Sequence, residues 1–367
     1  MDDETLMRRA LDLAGRGRGL VSPNPLVGAV LVRDGRVVGE GWHEGPGTAH
    51  AEAMALGGAG EDARGATLVV TLEPCDHHGR TPPCTDALLG AGVAEVVAAA
   101  GDPNPVVDGR GFARLREGGV RVRTGVLLRE AERQNAAFRR HVVTGLPFVT
   151  LKMAATLDGK VAARDGSSRW ITGETARADV HRLRAVSDAI VVGAGTAIAD
   201  DPALTVRDPD YRGRPVLRVV VDAAGRVPAT GRLFSPEAPT LVATSEGADA
   251  DAVDAWRAAG AEVVAFPSVP RAEGVPLSDL MAHLGKRDVQ SVLLEGGPTL
   301  AFSAVRDGVV NRVVLYLAPK LLGGDAAPGV LAGQGLAPVG DAVDLEIVSV
   351  GRAGPDLKVE ADVHRDR

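Results

Sequence analysis

The first part of the chain contains His50-Ala51-Glu52, Pro74-Cys75 and Cys84. These residues can act together only if the chain brings them to one point, so they decide how this part of the chain folds. The sequence has two cysteines, and both belong to this set. One imidazole and two thiolates fill three positions of a tetrahedral zinc site and leave the fourth position for water. We therefore predict a zinc site formed by His50, Cys75 and Cys84.

Glu52 is the residue that favours a catalytic zinc site over a structural one. It is not needed as a ligand, so it can take a proton from water and pass it to a leaving amine. His-x-Glu followed by Pro-Cys and a second Cys is the pattern of zinc-dependent deaminases that act on nucleobases or nucleotides. A structural site, with His43, His77 or His78 as the fourth ligand, is the alternative, but it leaves Glu52 unexplained.

Composition limits the classes of protein and partner. The chain has 367 residues, enough for two domains, and it is 45% hydrophobic and 24% charged, as soluble globular proteins are. Its net charge is −7 and only 3% of its residues are aromatic, whereas a nucleic-acid surface needs basic side chains and stacking platforms. We therefore expect no nucleic-acid partner. The absence of an apolar run of about 20 residues predicts no membrane partner, and the two thiols favour the reducing cytoplasm.

Helix and strand patterns alternate through the first half. Apolar residues recur at helical spacing over 3–15, and two strands flank the turn Asp34-Gly35 as a hairpin. The predicted strands are 28–32, 36–42, 66–71, 95–100 and 120–123, and the predicted helices are 3–15, 50–56, 84–89 and 128–142. The helix that begins at Cys84 favours a thiolate there, because the helix dipole is positive at its start.

Two polar side chains near the metal ligands are candidates for substrate contact. Asn24 lies between two prolines, and its amide could pair with the edge of a heterocycle, although a turn-forming asparagine fits equally well. His77 lies in the insertion between the cysteines, where His78 and Arg80 add positive charge suited to a substrate phosphate. A solvated surface loop is the alternative for this insertion.

The α/β pattern restarts after Leu146-Pro147, so we expect two domains, 1–145 and 146–367. The second half is predicted to have strands at 148–152, 188–192, 216–222, 239–244, 261–265, 289–295 and 309–317. Its predicted helices are 174–187, 249–259, 277–284 and 298–307, and the tail, 345–363, is predicted to form a hairpin. This alternation is typical of a mostly parallel sheet covered by helices.

Two glycine-rich turns in the second half are candidate phosphate sites. Gly193-Ala194-Gly195 follows a strand but lacks the third glycine of the dinucleotide-binding pattern. Glu295-Gly296-Gly297-Pro298 joins a buried strand to a helix, where backbone N–H groups can reach phosphate oxygens. A tight strand-to-helix turn fits it equally well. Arg184 and Arg207 could together clamp a phosphate, although each alone is more often a surface arginine.

The chain resembles the bifunctional pyrimidine deaminase/uracil reductase family of riboflavin biosynthesis, and the resemblance runs through both halves. In the first half it rests on SPNPLVGAV (22–30), GWHEGPGTAHAEAMAL (41–56) and TLEPCDHHGRTPPCTDAL (71–88). In the second half it rests on KMAATLDGKVA (152–162), SSRWITG (167–173), the run 181–207, EGGPTL (295–300) and APKLLGG (318–324). The eight residues between the cysteines are this family's own spacing.

The resemblance implies an α/β chain: a cytidine-deaminase-like three-layer domain at 1–145, then a dihydrofolate-reductase-like α/β domain at 146–367. It implies that His50, Cys75 and Cys84 bind zinc, that Glu52 carries the proton, and that NADPH is the second cofactor. The residues it places against NADPH are Ala154, Trp170, Thr196, Asp200, Gly297, Pro298, Thr299, Leu300, Ala301, Phe302 and Ser303. Those it places against the substrate are Ser168, Arg184, Leu204, Arg207 and Glu295.

The implied reaction has two steps. The amine at C2 of 2,5-diamino-6-(ribosylamino)-4(3H)-pyrimidinone 5′-phosphate is hydrolysed, and NADPH then reduces the ribosyl chain to ribityl. Thr156 and Ala223 depart from the hydroxyl pattern expected of the family, which bears on the preference for NADPH over NADH. A homo-oligomer, with a dimer favoured, is expected. The alternatives are a nucleic-acid base deaminase with an accessory nucleotide-binding domain, and a non-catalytic binding protein with a structural zinc.

Overall fold

The computed structural model describes residues 1–77, 82–105, 107–207, 211–267 and 274–364. The chain divides into two compact units, Met1–Gly145 and Leu146–Arg367. In the described ranges no helix combines the length and the apolar character needed to cross a membrane.

Unit 1 is built on a five-stranded sheet with the order β2-β1-β3-β4-β5. The two pairs that β1 makes are antiparallel, and the pairs β3–β4 and β4–β5 are parallel. The strands are β1 Gly28–Arg33, β2 Arg36–Trp42, β3 Thr67–Leu72, β4 Glu95–Ala100 and β5 Arg121–Thr124. The helices are α1 Asp3–Gly15, α2 Ala51–Ala59, α3 Cys84–Ala91, α4 Arg110–Glu117, α5 Leu128–Gln134 and α6 Ala136–Thr144.

Helices cover both faces of this sheet, because its central strands bury side chains on each side. In β3, Leu68 and Val70 pack with α2, α3 and α4, whereas Val69 packs with α1, α5 and α6 on the other face. The predicted three-layer α/β architecture is confirmed. Gly41 in β2 lets α2 lie close to the sheet, since a Cβ there would stand 2.2 Å from the carbonyl oxygen of Ala51.

The helix predicted over 128–142 is two helices, and the prediction of one was wrong. Helix α5 ends at Gln134 and α6 begins at Ala136. Between them, the Asn135 side chain pairs with the backbone of Leu26, accepting from its N–H at 2.8 Å and donating to its carbonyl at 2.8 Å. The Asn135 backbone has φ −101° and ψ 20°, outside the helical range, so the helix is interrupted at the residue that makes this tertiary contact. The short helices α4 and, in unit 2, α8 were not predicted.

Unit 2 is built on a nine-stranded sheet with the order β10-β9-β8-β7-β11-β6-β12-β14-β13. From β10 to β12 every neighbouring pair is parallel, and β14 and β13 continue the sheet as antiparallel strands. The strands are β6 Phe148–Thr156, β7 Ala189–Gly193, β8 Leu217–Val221, β9 Thr240–Ser245, β10 Glu262–Phe266, β11 Ser291–Leu294, β12 Arg312–Ala318, β13 Leu345–Ala353 and β14 Asp356–Val363. The helices are α7 Glu174–Ala185, α8 Ala194–Asp200, α9 Ala250–Ala258, α10 Leu277–Gly285 and α11 Pro298–Arg306.

The predicted mostly parallel sheet and the terminal hairpin are both present in unit 2. Helices α10 and α11 bury β6, β7 and β11 on one face, and α9 packs over β7, β8 and β9 on the other. Because the strands from β7 to β12 are parallel, their carboxyl ends meet at one edge of the sheet. Ligands bind at this edge in open α/β sheets.

Candidate active sites of the two units

The three predicted zinc ligands converge in unit 1. His50 is the N-cap of α2, Cys75 follows β3, and Cys84 is the first residue of α3. Nδ1 of His50 is 3.2 Å from Sγ of Cys84 and 3.5 Å from Sγ of Cys75. All three ligand atoms lie within 4.8 Å of one another.

The chemistry of this donor set fits zinc. One imidazole nitrogen and two sulfurs at this spacing can occupy three corners of a tetrahedron. The backbone N–H of Cys84 points to Sγ of Cys75 at 3.5 Å, and the hydrogen bonds from the Cys84 thiol and from His50 lower the pKa of Cys75 to about 4. A thiol that ionises readily is a ready metal ligand.

Glu52 is the second residue of the helix that His50 caps, and its side chain is buried at 3% exposure. Burial raises the pKa of Glu52 to about 7. It is hydrogen-bonded to Cys84, so the carboxyl group is within reach of the metal ligands. A buried carboxyl beside an open metal position is suited to proton transfer.

His43 and Asn24 form a second pair beside His50. The Nε2 of His43 is 2.9 Å from the Asn24 amide nitrogen, and its Nδ1 is 3.3 Å from the carbonyl oxygen of Ala49. A tautomer that donates to Ala49 and accepts from Asn24 satisfies both nitrogens, and burial lowers the pKa of His43. Because both nitrogens are engaged, His43 is not available as a fourth zinc ligand. The predicted substrate contact of Asn24 stays a prediction.

The predicted insertion between the cysteines is only partly described. His77 is exposed, whereas His78 and Arg80 lie outside the described residues. The basic phosphate site proposed from this insertion therefore stays a prediction.

Glu73 is a carboxylate whose role the sequence did not reveal. It follows β3, two residues before Cys75, and is 4% exposed. Its oxygens accept three backbone N–H groups, from Asp102 at 3.2 Å, Gly109 at 3.1 Å and Phe112 at 3.1 Å. Glu73 therefore ties the loop after β4 to the strand end that carries Cys75. The only sequence signal for it is an acidic residue placed directly after a buried strand.

Asp102, in that same loop, was also missed. Burial raises its pKa to about 6, and the neighbouring Glu73 carboxylate adds to the shift. Nothing in its sequence context distinguishes it from an ordinary turn aspartate, because the burial that raises its pKa arises from packing.

In unit 2 a partly buried charged cluster lies where β6 and β11 run side by side. Arg184 on α7 donates to Glu295, at the end of β11, with Nε at 2.6 Å and Nη2 at 3.0 Å. Burial lowers the pKa of Lys152 on β6, which the nearby Glu295 partly offsets. Glu295 occupies Nε and Nη2 of Arg184, and the phosphate clamp suggested for Arg184 together with Arg207 stays a prediction. The contact of Arg184 with the substrate also stays a prediction.

The two glycine-rich turns lie next to each other, since β7 and β11 are neighbours in the sheet. A Cβ on Gly297 would stand 3.3 Å from Oγ1 of Thr196, and one on Gly296 would stand 2.7 Å from the Leu300 side chain. Helix α11 begins at Pro298 after an extended Gly297, so its first N–H groups have no helical acceptor. This glycine-lined cradle at a helix start fits the phosphates of a dinucleotide.

Several residues predicted to bind the cofactor or the substrate have buried side chains. Ala301 and Phe302 face the core, and so does Leu204, which has a positive φ of 47°. Any contact that these three make with a ligand must therefore use the backbone. Arg207 is exposed and Ser168 is half-buried.

The side chain of Trp170 faces solvent, and two neighbouring basic residues contact this residue. It is 64% exposed, the Arg177 guanidinium lies 4.5 Å from the ring centroid, and Nζ of Lys320 donates to its carbonyl at 2.7 Å. Beside it, Arg169 donates to the carbonyl of Asp200 at 2.8 Å. An aromatic ring held this way can stack on a planar ligand.

Together, the fold and these sites define a chain with a zinc-deaminase domain followed by an α/β reductase-type domain. Two family models match it. The cytidine and deoxycytidylate deaminase zinc-binding region covers residues 1–100, and the RibD C-terminal domain covers residues 147–359.

Full-length relatives and solved structures agree with these matches. The riboflavin biosynthesis protein RibD of Escherichia coli (strain K12) is 44% identical over 97% of this chain and 98% of that protein. The RibD of Bacillus amyloliquefaciens is 41% identical over 100% of both. A structure of Acinetobacter baumannii RibD superposes with a TM-score of 0.86 at 36% identity, covering 99% of each chain.

A Thermotoga maritima structure, described as a diaminohydroxyphosphoribosylaminopyrimidine deaminase/5-amino-6-(5-phosphoribosylamino)uracil reductase, has a TM-score of 0.85 at 38% identity and covers 99% of each chain. The chain therefore belongs to the RibD family. It is a bifunctional deaminase and reductase of riboflavin biosynthesis, as the resemblance implied. The alternative of a nucleic-acid base deaminase is not supported, because the match extends through both units.

Proposed function

We propose that unit 1 hydrolyses the C2 amine of 2,5-diamino-6-(ribosylamino)-4(3H)-pyrimidinone 5′-phosphate, and that unit 2 then reduces the ribosyl chain of the product with NADPH. The convergence of His50, Cys75 and Cys84 beside the buried Glu52 carries the first half of this proposal. The glycine-lined cradle beside the buried Arg184–Glu295 pair supports the second half. The sequential substrates are those named for the Thermotoga maritima relative.

In unit 1, His50, Cys75 and Cys84 would hold zinc, which when bound supplies Lewis-acid activation of water at neutral pH. Glu52 takes a proton from the attacking water and delivers it to the amine, so that water is consumed and ammonia leaves. Asn24 and His77 would contact the substrate. The amide nitrogen of Asn24 lies 2.9 Å from Nε2 of His43. This contact uses the nitrogen of the amide, so the side-chain oxygen of Asn24 can accept from a donor on the substrate's ring.

In unit 2, the bound nicotinamide would supply the hydride that reduces C1′ after the ribose ring opens to an imine. The protein holds the two reacting carbons close together and places charged side chains around them. The Arg184–Glu295 pair and Lys152 set that charge at the strand ends. Ser168, Leu204 and Arg207 would complete the substrate contacts. Those proposed for the cofactor are Ala154, Trp170, Thr196, Asp200, Gly297, Pro298, Thr299, Leu300, Ala301, Phe302 and Ser303.

A homodimer is the proposed assembly, and the cytoplasm is the proposed location. Two unpaired cysteines within reach of one metal support the location, because zinc-ligating thiols must stay reduced.

The test supplies the diaminopyrimidine phosphate to zinc-loaded protein, with and without NADPH, and follows ammonia and cofactor absorbance separately. We expect ammonia in both cases and NADPH oxidation only after deamination. Glu52→Gln should abolish ammonia release while leaving NADPH oxidation intact on substrate that is already deaminated. Glu61→Gln, on an exposed turn of the same unit, is the control. Wild-type ammonia release in Glu52→Gln would remove Glu52 from the mechanism.

The metal is tested on its own by elemental analysis. One zinc ion per chain is expected in the wild type, and substoichiometric zinc is expected in Cys84→Ser. A Cys84→Ser protein that retains a full equivalent of zinc would show that the three residues do not form the site.

A further inference from the structure

Asp356 is a buried carboxylate that neither of the two proposed reactions uses. It is the first residue of β14, directly after the turn Gly354-Pro355 of the terminal hairpin, a place where aspartates usually face solvent. Here the residue is only 1% exposed, and a carboxylate without water must be held by hydrogen bonds. Its Oδ2 accepts the backbone N–H of Gly173 at 2.7 Å, and Gly173 is the N-cap of α7. Asp356 therefore ties the tip of the hairpin to the start of α7.

The hairpin tip and the start of α7 also approach each other closely at two glycines. A Cβ on Gly354 would stand 2.8 Å from Oγ1 of Thr175, and one on Gly173 would stand 3.3 Å from Cγ of Pro355. Gly354 has a φ of 66°, so the turn itself favours glycine at this point. Because the two surfaces already lie this close, the tip has little freedom to shift relative to Gly173.

Gly173 ends the segment 167–173, which is called the Trp170 loop below. Trp170 is 64% exposed, so burial of its ring contributes little to holding the loop in one conformation. The loop therefore depends on polar contacts with other segments. Besides the bond to Asp356, such contacts involve Arg169, Arg177 and Lys320.

Burial strengthens the bond from Gly173 to Asp356 relative to the other three contacts. The side chains of Arg169 and Arg177 are 56% and 33% exposed, and Lys320 is an exposed residue. Water competes with their hydrogen bonds and screens their charge, whereas a hydrogen bond removed from water is electrostatically stronger. Asp356 is therefore the main anchor at the end of the Trp170 loop that leads into α7.

We propose that Asp356 is a positioning residue for the cofactor: by fixing Gly173, it holds the Trp170 loop in the arrangement that presents the indole to NADPH. This rests on the contact between Trp170 and NADPH proposed above. Asp356 acts through the backbone of the loop and does not touch the cofactor itself. A loop that is ordered before the ligand arrives loses less conformational entropy on binding, so the affinity for NADPH is higher.

A residue on the same strand separates this role from a general effect on the hairpin. Asp362 is six residues further along β14, about 20 Å away at the rise of a strand. Its carboxylate accepts from Arg312 at 2.6 and 3.3 Å, in a pair whose side chains are 18% and 31% exposed. Asp362→Asn should therefore weaken the hairpin without changing the start of α7.

The test measures NADPH oxidation on substrate that is already deaminated, for the wild type, Asp356→Asn, Asp362→Asn, Trp170→Ala and the double variant Asp356→Asn/Trp170→Ala. Asp356→Asn replaces a carboxylate with an amide of the same shape, which accepts more weakly. We expect about a fivefold rise in its KM for NADPH with kcat nearly unchanged, and an unchanged KM in Asp362→Asn. In the Trp170→Ala background, Asp356→Asn should raise KM by less than about twofold, because two residues that act through one contact are not additive.

The double variant distinguishes failure of this proposal from failure of the cofactor contact. A rise caused by Asp356→Asn that persists in full beside Trp170→Ala would show that Asp356 does not act through Trp170. An equal rise in Asp362→Asn, or no rise in Asp356→Asn while Trp170→Ala raises KM, would also overturn the positioning role alone. An unchanged KM in Trp170→Ala would overturn the contact of Trp170 with NADPH, and this proposal with it.

Hydrogen exchange on the wild type keeps the proposal testable if Asp356→Asn folds poorly. The Gly173 amide can exchange only when its bond to Asp356 opens, and coupling between two sites is reciprocal. Saturating NADPH should therefore slow exchange at residues 170–173 and leave residues 360–363 unchanged. Exchange at Gly173 that is the same with and without NADPH would overturn the proposal.

Discussion

The Arg184 guanidinium holds the Glu295 carboxylate by two hydrogen bonds, from Nε at 2.6 Å and from Nη2 at 3.0 Å. Their side chains are only 15% and 8% exposed, so the pair is largely removed from water. It links α7 to the end of β11 at the strand edge where the substrate of unit 2 is proposed to bind. The stability of this unit should therefore depend on an ion pair that also shapes its proposed site.

Glu295→Gln should lower the free energy of unfolding of unit 2 by about 3 kcal/mol, because it leaves the mostly buried Arg184 side chain without a counter-charge. Urea unfolding followed by fluorescence measures the change. The matched control is Glu262→Gln, whose partner Arg287 lies 2.7 Å away in a pair that is 35% and 50% exposed. An exposed pair contributes less than about 1 kcal/mol. Equal losses of unfolding free energy in the two variants would show that burial does not determine how much an ion pair contributes.

The same pair predicts a pH dependence. Burial alone would raise the pKa of Glu295, but the charge and hydrogen bonds of Arg184 outweigh it, and the net pKa is lowered below 4.5. Ionised Glu295 therefore contributes its stability above pH 4.5 and loses it as the pH falls through the lower, folded-state pKa. The difference in unfolding free energy between the wild type and Glu295→Gln should be constant near neutrality and shrink in acid. A difference that grows in acid would contradict the lowered pKa of Glu295.

Arg177→Ala should weaken NADPH binding through Trp170. The guanidinium lies 4.5 Å from the centre of the indole and also donates to the Thr172 carbonyl at 2.8 Å, so it holds the ring in place. A cation–π contact of about 1 kcal/mol predicts a roughly fivefold rise in the KM for NADPH with kcat nearly unchanged.

Arg182→Ala is the control for this prediction, because Arg182 lies on the same helix and its side chain is 73% exposed. A KM that rises equally in both variants would point to a general effect of charge on α7. A fall in kcat without a change in KM would remove the positioning role of Arg177.

Glu73→Gln should loosen the loop after β4, because an amide oxygen accepts the three N–H groups of Asp102, Gly109 and Phe112 more weakly than a carboxylate does. Losing charge-assisted bonds of this kind costs about 1.5–3 kcal/mol. Hydrogen exchange should accelerate at these three amides before it accelerates in β3 or β4. Uniform acceleration across unit 1 would mean that Glu73 stabilises the whole unit and not this loop.

Local sequence patterns were sufficient for most elements of both sheets. The spacing of apolar residues and the identity of turn residues predict the strands at 28–32 and 36–42 and the helix at 3–15. Both signals come from residues that are neighbours in the sequence. The prediction of one helix at 128–142 was wrong: the break is at Asn135, whose side chain bonds to Leu26, a partner more than a hundred positions away. No window of local sequence contains that contact.

The residues of the candidate sites also fall into those that the sequence predicted and those that it did not. The zinc ligands were predicted because the metal requires a few residue types at characteristic spacings. Glu73 and Asp102 were missed because their properties arise from burial and from backbone groups of another segment. The ion pair of Arg184 with Glu295 was also not predicted, because Glu295 lies at the end of a strand more than a hundred residues further along the chain.

The sequence by itself determined which chemical groups the chain can offer: one histidine, two cysteines and a glutamate for a metal, and two glycine turns for phosphates. It also determined the alternation of strands and helices, since both depend on residues close together along the chain. The tertiary structure alone decided which carboxylates are buried and which arginine is paired with one of them. Those outcomes depend on contacts between distant segments, where burial changes the energy of every charge.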